Sequence, residues 1–211
     1  GSLDNSELDT MLGAVKTAAQ SLFEGTSGDV SITVVAFAGS AASLGTFTSY
    51  SAFAAAIDAT NPQLMGSRPN LTGGTNFDAA VQQVIAHFAP AQGAHNEVFF
   101  LSDGQSSVSS QATAWNDFVD NNGVSVTAVG IGDGINNAGL QSVDVDGSGQ
   151  PILVAQFSDL VESLLELVAP ETNGNVLTGG SLGGDGGRIL SITVDGETYT
   201  WNGYEGEGAF I

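Results

Sequence analysis

Leu71-Thr72-Gly73-Gly74-Thr75-Asn76-Phe77-Asp78-Ala79 and, further along, Phe99-Phe100-Leu101-Ser102-Asp103-Gly104 decide how this chain is read. The first is a Gly-Gly turn that delivers a threonine to the start of a helix. The second is an apolar strand that delivers an aspartate at its carboxyl end, followed by a glycine turn. In an open parallel α/β sheet, ligands bind outside the carboxyl ends of the strands. A hydroxyl and a carboxylate converging there suit a hard divalent cation, Mg2+ or Ca2+, which takes oxygen ligands and often keeps waters. Each segment also has a purely structural reading. Thr75 with Asp78 three residues on fits a capping box, and Ser102-Asp103-Gly104 fits an ordinary turn after a strand.

Composition narrows the field. The 211 residues suffice for one sizeable core plus an appendage. Three Lys+Arg against 23 Asp+Glu give a formal net charge of -20, which repels phosphate backbones and anionic lipid surfaces and so disfavours nucleic acid and acidic membranes as partners. The same charge suits divalent cations, and equally a simple solubility role. With no cysteine, disulfides, thiol nucleophiles and thiolate metal sites are excluded. No apolar run is long enough to span a membrane and no basic-then-apolar leader is present, so no membrane insertion is expected and, if the protein is exported, its signal lies outside these residues.

Apolar spacing predicts a helix from about Glu7 to Phe23, a buried strand from Val30 to Ala38, a hairpin partner from Ala42 to Thr48 and a short helix from Ala52 to Asp58. A helix from Asn76 to Phe88, a strand from Glu97 to Ser102, a helix from Gln111 to Asp120 and a strand from Val124 to Gly130 follow. After an Asn- and Gly-rich loop come a short strand, Pro151 to Val154, and a closing helix, Phe157 to Val168. Strands alternating with helices imply βαβ units: an α/β, three-layer, Rossmann-like fold with a mostly parallel central sheet. Residues 1–170 form this domain. Residues 171–188 are a Gly-rich linker, and 189–211 hold a β-hairpin around Asp195-Gly196, the start of a truncated β-rich module.

Together the Thr75 and Asp103 segments resemble the metal-ion-dependent adhesion site of von Willebrand factor type A domains. That family's third segment, a strand ending Asp-x-Ser-x-Ser before the first helix, is absent from the chain. Gly1-Ser2-Leu3 reads either as the end of such a loop, with Ser2 as its last ligand, or as a cloning remnant. The resemblance puts metal ligands on Thr75, Asp103 and Ser2, and implies a cation completed by a carboxylate from a protein or glycan partner. The order of Gly28 to Phe37, the two metal segments, Val126 to Gly132 and Gly183 to Tyr199 further resembles giant bacterial RTX-type repeat adhesins exported by type I secretion. That resemblance implies an extracellular or cell-surface module of attachment and biofilm formation, neighboured in its own chain by β-rich repeats.

Asp144-Val145-Asp146-Gly147-Ser148 matches the start of an EF-hand loop, but position 12 is Ala155. A solvated loop is the plainer reading, and Asp144, Asp146 and Ser148 form at most a weak calcium loop. His87 and His95 lack zinc-helix spacing, and no Gly-x-Ser-x-Gly elbow exists. The expectation is therefore a non-enzymatic, metal-assisted binding module, with a structural spacer carrying a degenerate metal site as the alternative and a metal-dependent hydrolase behind both.

Overall fold

Helix α1 (Asn5–Gly25) opens the computed structural model, which describes residues 5–26, 28–59, 73–132, 135, 137–147, 150–168, 191–194 and 197–200. Two compact units are present, Gly1–Pro170 and Glu171–Ile211, and each is described by itself.

In the first unit, β1 (Ile32–Phe37) and β2 (Ala41–Phe47) pair antiparallel, with a register shift between Val34 and Val35. The shift lies opposite Gly45, whose φ of 120° suits a residue without a β-carbon. Helices α2 (Tyr50–Ala59) and α3 (Phe77–His87) follow. Strand β3 (Asn96–Ser102), helix α4 (Ala112–Asn122) and strand β4 (Val124–Ile131) form a βαβ unit whose strands run parallel in register from Asn96↔Val124 to Ser102↔Gly130. Helix α5 (Asn137–Gln141), the parallel edge strand β5 (Ile152–Val154), a 3-10 turn (Phe157–Asp159) and α6 (Leu160–Val168) complete the unit.

Alternation along the strands builds two cores. Val124, Val126 and Ala128 of β4, with Phe100 of β3, face Phe77, Val81, Trp115, Val119, Leu140 and Val143 from α3, α4 and the α5 region. Val129 and Ile131 point the other way, against Ala14 and Ala18 of α1 and Leu160, Leu164 and Val168 of α6. A smaller cluster packs Ala19 of α1 and Phe53 and Ile57 of α2 against the β1–β2 hairpin. The sheet is thus covered by helices on both faces, the expected α/β layering.

Two features depart from the sequence expectation. Helix α5 lies inside what reads as an Asn- and Gly-rich loop; at five residues it is too short to show a helical period, yet it buries Gly139 and Leu140. The sheet is also divided. Strands β1–β2 form one piece and β3–β4–β5 another, with no backbone pairing between β1 and β3 among the described residues. Aromatic rings bridge the division: Phe37 of β1 stacks on Phe100 of β3 at 4.9 Å, and Phe77 of α3 packs edge-on against both.

In the second unit, β6 (Ser191–Val194) and β7 (Glu197–Thr200) pair antiparallel from Ser191↔Thr200 to Val194↔Glu197. The turn residues Asp195 and Gly196 lie outside the described residues.

Candidate metal centre

The loop before α3 turns on Gly73 and Gly74, whose φ angles of 90° and 80° belong to the left-handed region. Thr75 and Asn76 follow. The capping-box reading of Thr75 and Asp78 is corrected here: the N-cap is Asn76, whose Oδ1 accepts from Ala79 N–H at 3.0 Å. Asn76 also anchors the turn between β1 and β2. Its N–H donates to Ala38 O at 2.8 Å and its Nδ2 to Gly39 O at 3.3 Å. Asparagine is among the preferred N-cap residues, so a sequence signal was there, masked by the threonine beside it. The helix start is satisfied without the Thr75 hydroxyl.

At the end of β3, Ser102 is buried and its Oγ accepts from Gly104 N–H at 3.1 Å. This small turn holds half-buried Asp103 at the carboxyl end of the strand. Thr75 lies against it. A β-carbon on Gly104 would collide with Thr75 Oγ1 and lie 3.0 Å from its Cγ2, so the threonine side chain occupies the space that glycine leaves open. The structure therefore brings Thr75 beside the Asp103–Gly104 turn. Ser2 lies outside the described residues.

Asp78 reaches across to the segment that follows this turn. Its carboxylate accepts from Ser109 N–H (2.8 Å), Ser109 Oγ (2.9 Å), Ser110 N–H (3.2 Å) and Gln111 N–H (3.0 Å). Burial would push its carboxyl up, but these hydrogen bonds outweigh it and hold the group well below the usual carboxylate range. Two further serines pin the same segment: Ser106 Oγ accepts from Phe77 N–H at 3.4 Å and Ser142 Oγ from Val108 N–H at 2.7 Å. None of these roles could be read from spacing, because the partners are about 30 residues apart, |i−j| being 29 to 34.

Asp144 and Asp146 lie elsewhere. Asp146 Oδ2 accepts from Val126 N–H at 2.7 Å and Asp144 Oδ2 from Ala128 N–H at 3.4 Å. Strand β5 pairs with β4 only from Val129 onward, and the two carboxylates take up donors along the part of β4 that β5 leaves uncovered. Burial, reinforced by the Asp146 charge, pushes the Asp144 carboxyl up, although the Ala128 bond opposes it. Val126 sits opposite Val98, four residues before Ser102, roughly 13 Å along the strand at 3.3 Å per residue. Ser148 lies outside the described residues.

Hydroxyl and carboxylate oxygens at the end of β3 fit a hard cation of the Mg2+ or Ca2+ kind, and the chemistry of the donors contains nothing soft. Among the described residues no group of three or more His, Asp or Glu is arranged to hold a metal. No helix among them is long and apolar enough to cross a membrane.

Comparisons with known proteins agree with this architecture. No curated protein sequence matches the chain. Among solved structures, proximal thread matrix protein 1 from the mussel byssus is similar at TM-score 0.62 and 20% identity, covering 78% of this chain and 43% of that one. A form of that protein with a zinc-occupied metal-ion-dependent adhesion site gives 0.62 and 18%, covering 78% and 42%. A von Willebrand factor type A protein from Catenulispora acidiphila gives 0.57 and 21%, covering 76% and 38%. At these identities the likeness shows the fold, and the chain spans about two fifths of each of those structures. The family model for the von Willebrand factor type A domain matches residues 1–167, and the chain belongs to that family.

Proposed function

We propose that this domain is a metal-assisted binding module in which Thr75 and Asp103 are protein ligands of a divalent cation. Domains of this family commonly act as metal-dependent adhesion or protein-interaction modules. The observation that carries the reading is the seating of Thr75 against Gly104, with Asn76 supplying the helix cap in its place. A bound Mg2+ or Ca2+ would supply an open coordination position to a carboxylate-bearing protein or glycan. Thr75 contributes a neutral oxygen and Asp103 a charged one, so the cation keeps a net positive charge for the partner. The net charge of -20 adds long-range repulsion against acidic partners, and the cation offsets it locally. The Gly-rich stretch and hairpin after residue 170 support placing the domain in a secreted or surface-attached RTX-type repeat adhesin exported by type I secretion, next to β-rich repeats.

Calorimetric titration with MgCl2, with and without EDTA, on wild type, Thr75→Ala and Asp103→Ala tests the assignment. Both substitutions should weaken Mg2+ binding, on the order of 10–100-fold if losses around metal ligands are a guide, and leave the fold intact. Binding of a carboxylate-bearing partner that ignores EDTA and both substitutions would favour a structural spacer instead.

A further inference from the structure

We propose that Asp78 is the positioning residue that holds the two halves of the candidate metal centre in register. The inference rests on the metal-binding reading above but is argued from a separate set of contacts. Thr75 comes from the loop before α3 and Asp103 from the loop after β3, and these two segments share no backbone ladder. Their separation is held by the packing of Phe77 on Phe100 and by hydrogen bonds between the first turn of α3 and residues 102–111.

Two such hydrogen-bonded links are made. Phe77 N–H donates to Ser106 Oγ at 3.4 Å, long for a hydrogen bond. Asp78, the next residue, accepts four bonds of 2.8–3.2 Å from Ser109, Ser110 and Gln111. Bonds to an ionised acceptor are roughly twice as strong as neutral ones, so Asp78 makes the stronger of these two links. It also does work that α4 leaves undone. The N-cap of α4, Gln111, makes no side-chain capping bond, and the Asp78 charge lies at the positive end of that helix. One carboxylate therefore terminates α4, closes the loop that begins at Asp103, and fixes that loop to the turn that begins at Thr75.

The consequence is geometric. The Thr75 side chain meets Gly104 only while α3 and the 102–111 segment keep their spacing. Releasing Asp78 lets the segment drift from α3, and a hydroxyl and a carboxylate that must share one small cation lose their common focus. Asp78→Asn grades the effect. An amide oxygen at the Oδ1 position retains the bonds from Ser109 N–H and Gln111 N–H, whereas the nitrogen cannot accept from Ser110 N–H.

The test compares wild type, Asp78→Ala, Asp78→Asn and Ile57→Ala, all in the full chain. Ile57 is buried in the α2 cluster, away from both loops, and controls for loss of stability alone. The first readout needs no metal: the nuclear Overhauser contact between the Thr75 methyl and the Gly104 α-protons. The second is MnCl2-induced broadening at Thr75 and Asp103, sensitive to weak binding, with MgCl2 as competitor. Asp78→Ala should lose the Thr75–Gly104 contact and bind Mn2+ at least tenfold more weakly, Asp78→Asn should fall between it and wild type, and Ile57→Ala should retain both. Retention of the contact in Asp78→Ala, or an equal loss in Ile57→Ala, overturns the proposal. A contact that depends on Asp78 in a protein that binds no Mn2+ upholds the positioning role and overturns the metal reading.

Discussion

Thr75 stands over the α-carbon of Gly104, filling the volume that any other residue at 104 would need for its β-carbon. The glycine is required here by space, and the threonine is its packing partner as well as a candidate ligand. Gly104→Ala should therefore lower stability by about 1–3 kcal/mol, the usual range for overpacking, and should weaken Mg2+ binding by turning Thr75 away. The pair should be coupled: adding Thr75→Ala to Gly104→Ala removes the colliding atoms and should recover most of the stability. Denaturant titrations of the two single variants and the double variant measure this, and additive losses would show that the collision is relieved elsewhere.

Asn76 joins the helix cap to the hairpin turn, so its substitutions should separate the two contributions. Asn76→Ala should cost about 0.5–2 kcal/mol, as loss of an N-cap does. Asn76→Asp keeps the acceptor for Ala79 N–H and places charge favourably at the helix start, but loses the Nδ2 bond to Gly39 O. It should be the more stable of the two. An Asn76→Ala midpoint in urea equal to that of wild type would mean that another group caps α3.

The layering was legible because it follows from patterning. The strand alternation that sends Val126 and Val129 to opposite cores, and the spacing that buries Ala18 and Ala19 of α1, are both written in neighbouring residues. The ends of the elements were legible to within a few residues for the same reason. What holds the candidate site was not. The Asp78–Ser109 and Ser142–Val108 bonds join residues 31 and 34 apart, and a serine or aspartate that accepts from distant backbone looks, in sequence, like any solvated polar residue. The loop motif at Asp144 and Asp146 shows the converse. Its spacing suits a cation, while its carboxylates are directed to the uncovered N–H groups of β4.

That arrangement gives Asp144 a pH signature. Its carboxyl is raised above the ordinary value, chiefly by burial, so its contribution to stability is fully present below the unfolded pKa and is lost as pH rises through the folded one. Asp144→Asn retains an acceptor for Ala128 N–H and removes the buried charge. The variant should match wild type near pH 3 and exceed it in thermal midpoint at pH 7. A difference that does not vary with pH would place the effect in packing rather than in ionisation.

The division between β1 and β3 makes the last prediction. Among the described residues both strands have one edge paired, β1 with β2 and β3 with β4, while their other edges share no ladder. Unpaired edges leave backbone donors and acceptors to water and invite a further strand, whereas side-chain packing, the Phe37, Phe77 and Phe100 rings among it, joins the two pieces. A version of the chain extended upstream of Gly1 by an apolar strand ending Asp-x-Ser should gain ladder hydrogen bonds on both sides. It should melt at a higher temperature, and the amides on the facing edges of β1 and β3 should become more protected from hydrogen exchange. The added aspartate and serine would reach the same end of the sheet as Thr75 and Asp103, so Mg2+ binding should tighten, and Thr75→Ala should remove much of that gain. Equal thermal midpoints for the two versions, with β1 and β3 amides exchanging as before, would show that the strand does not enter between them and that the divided sheet is the complete one.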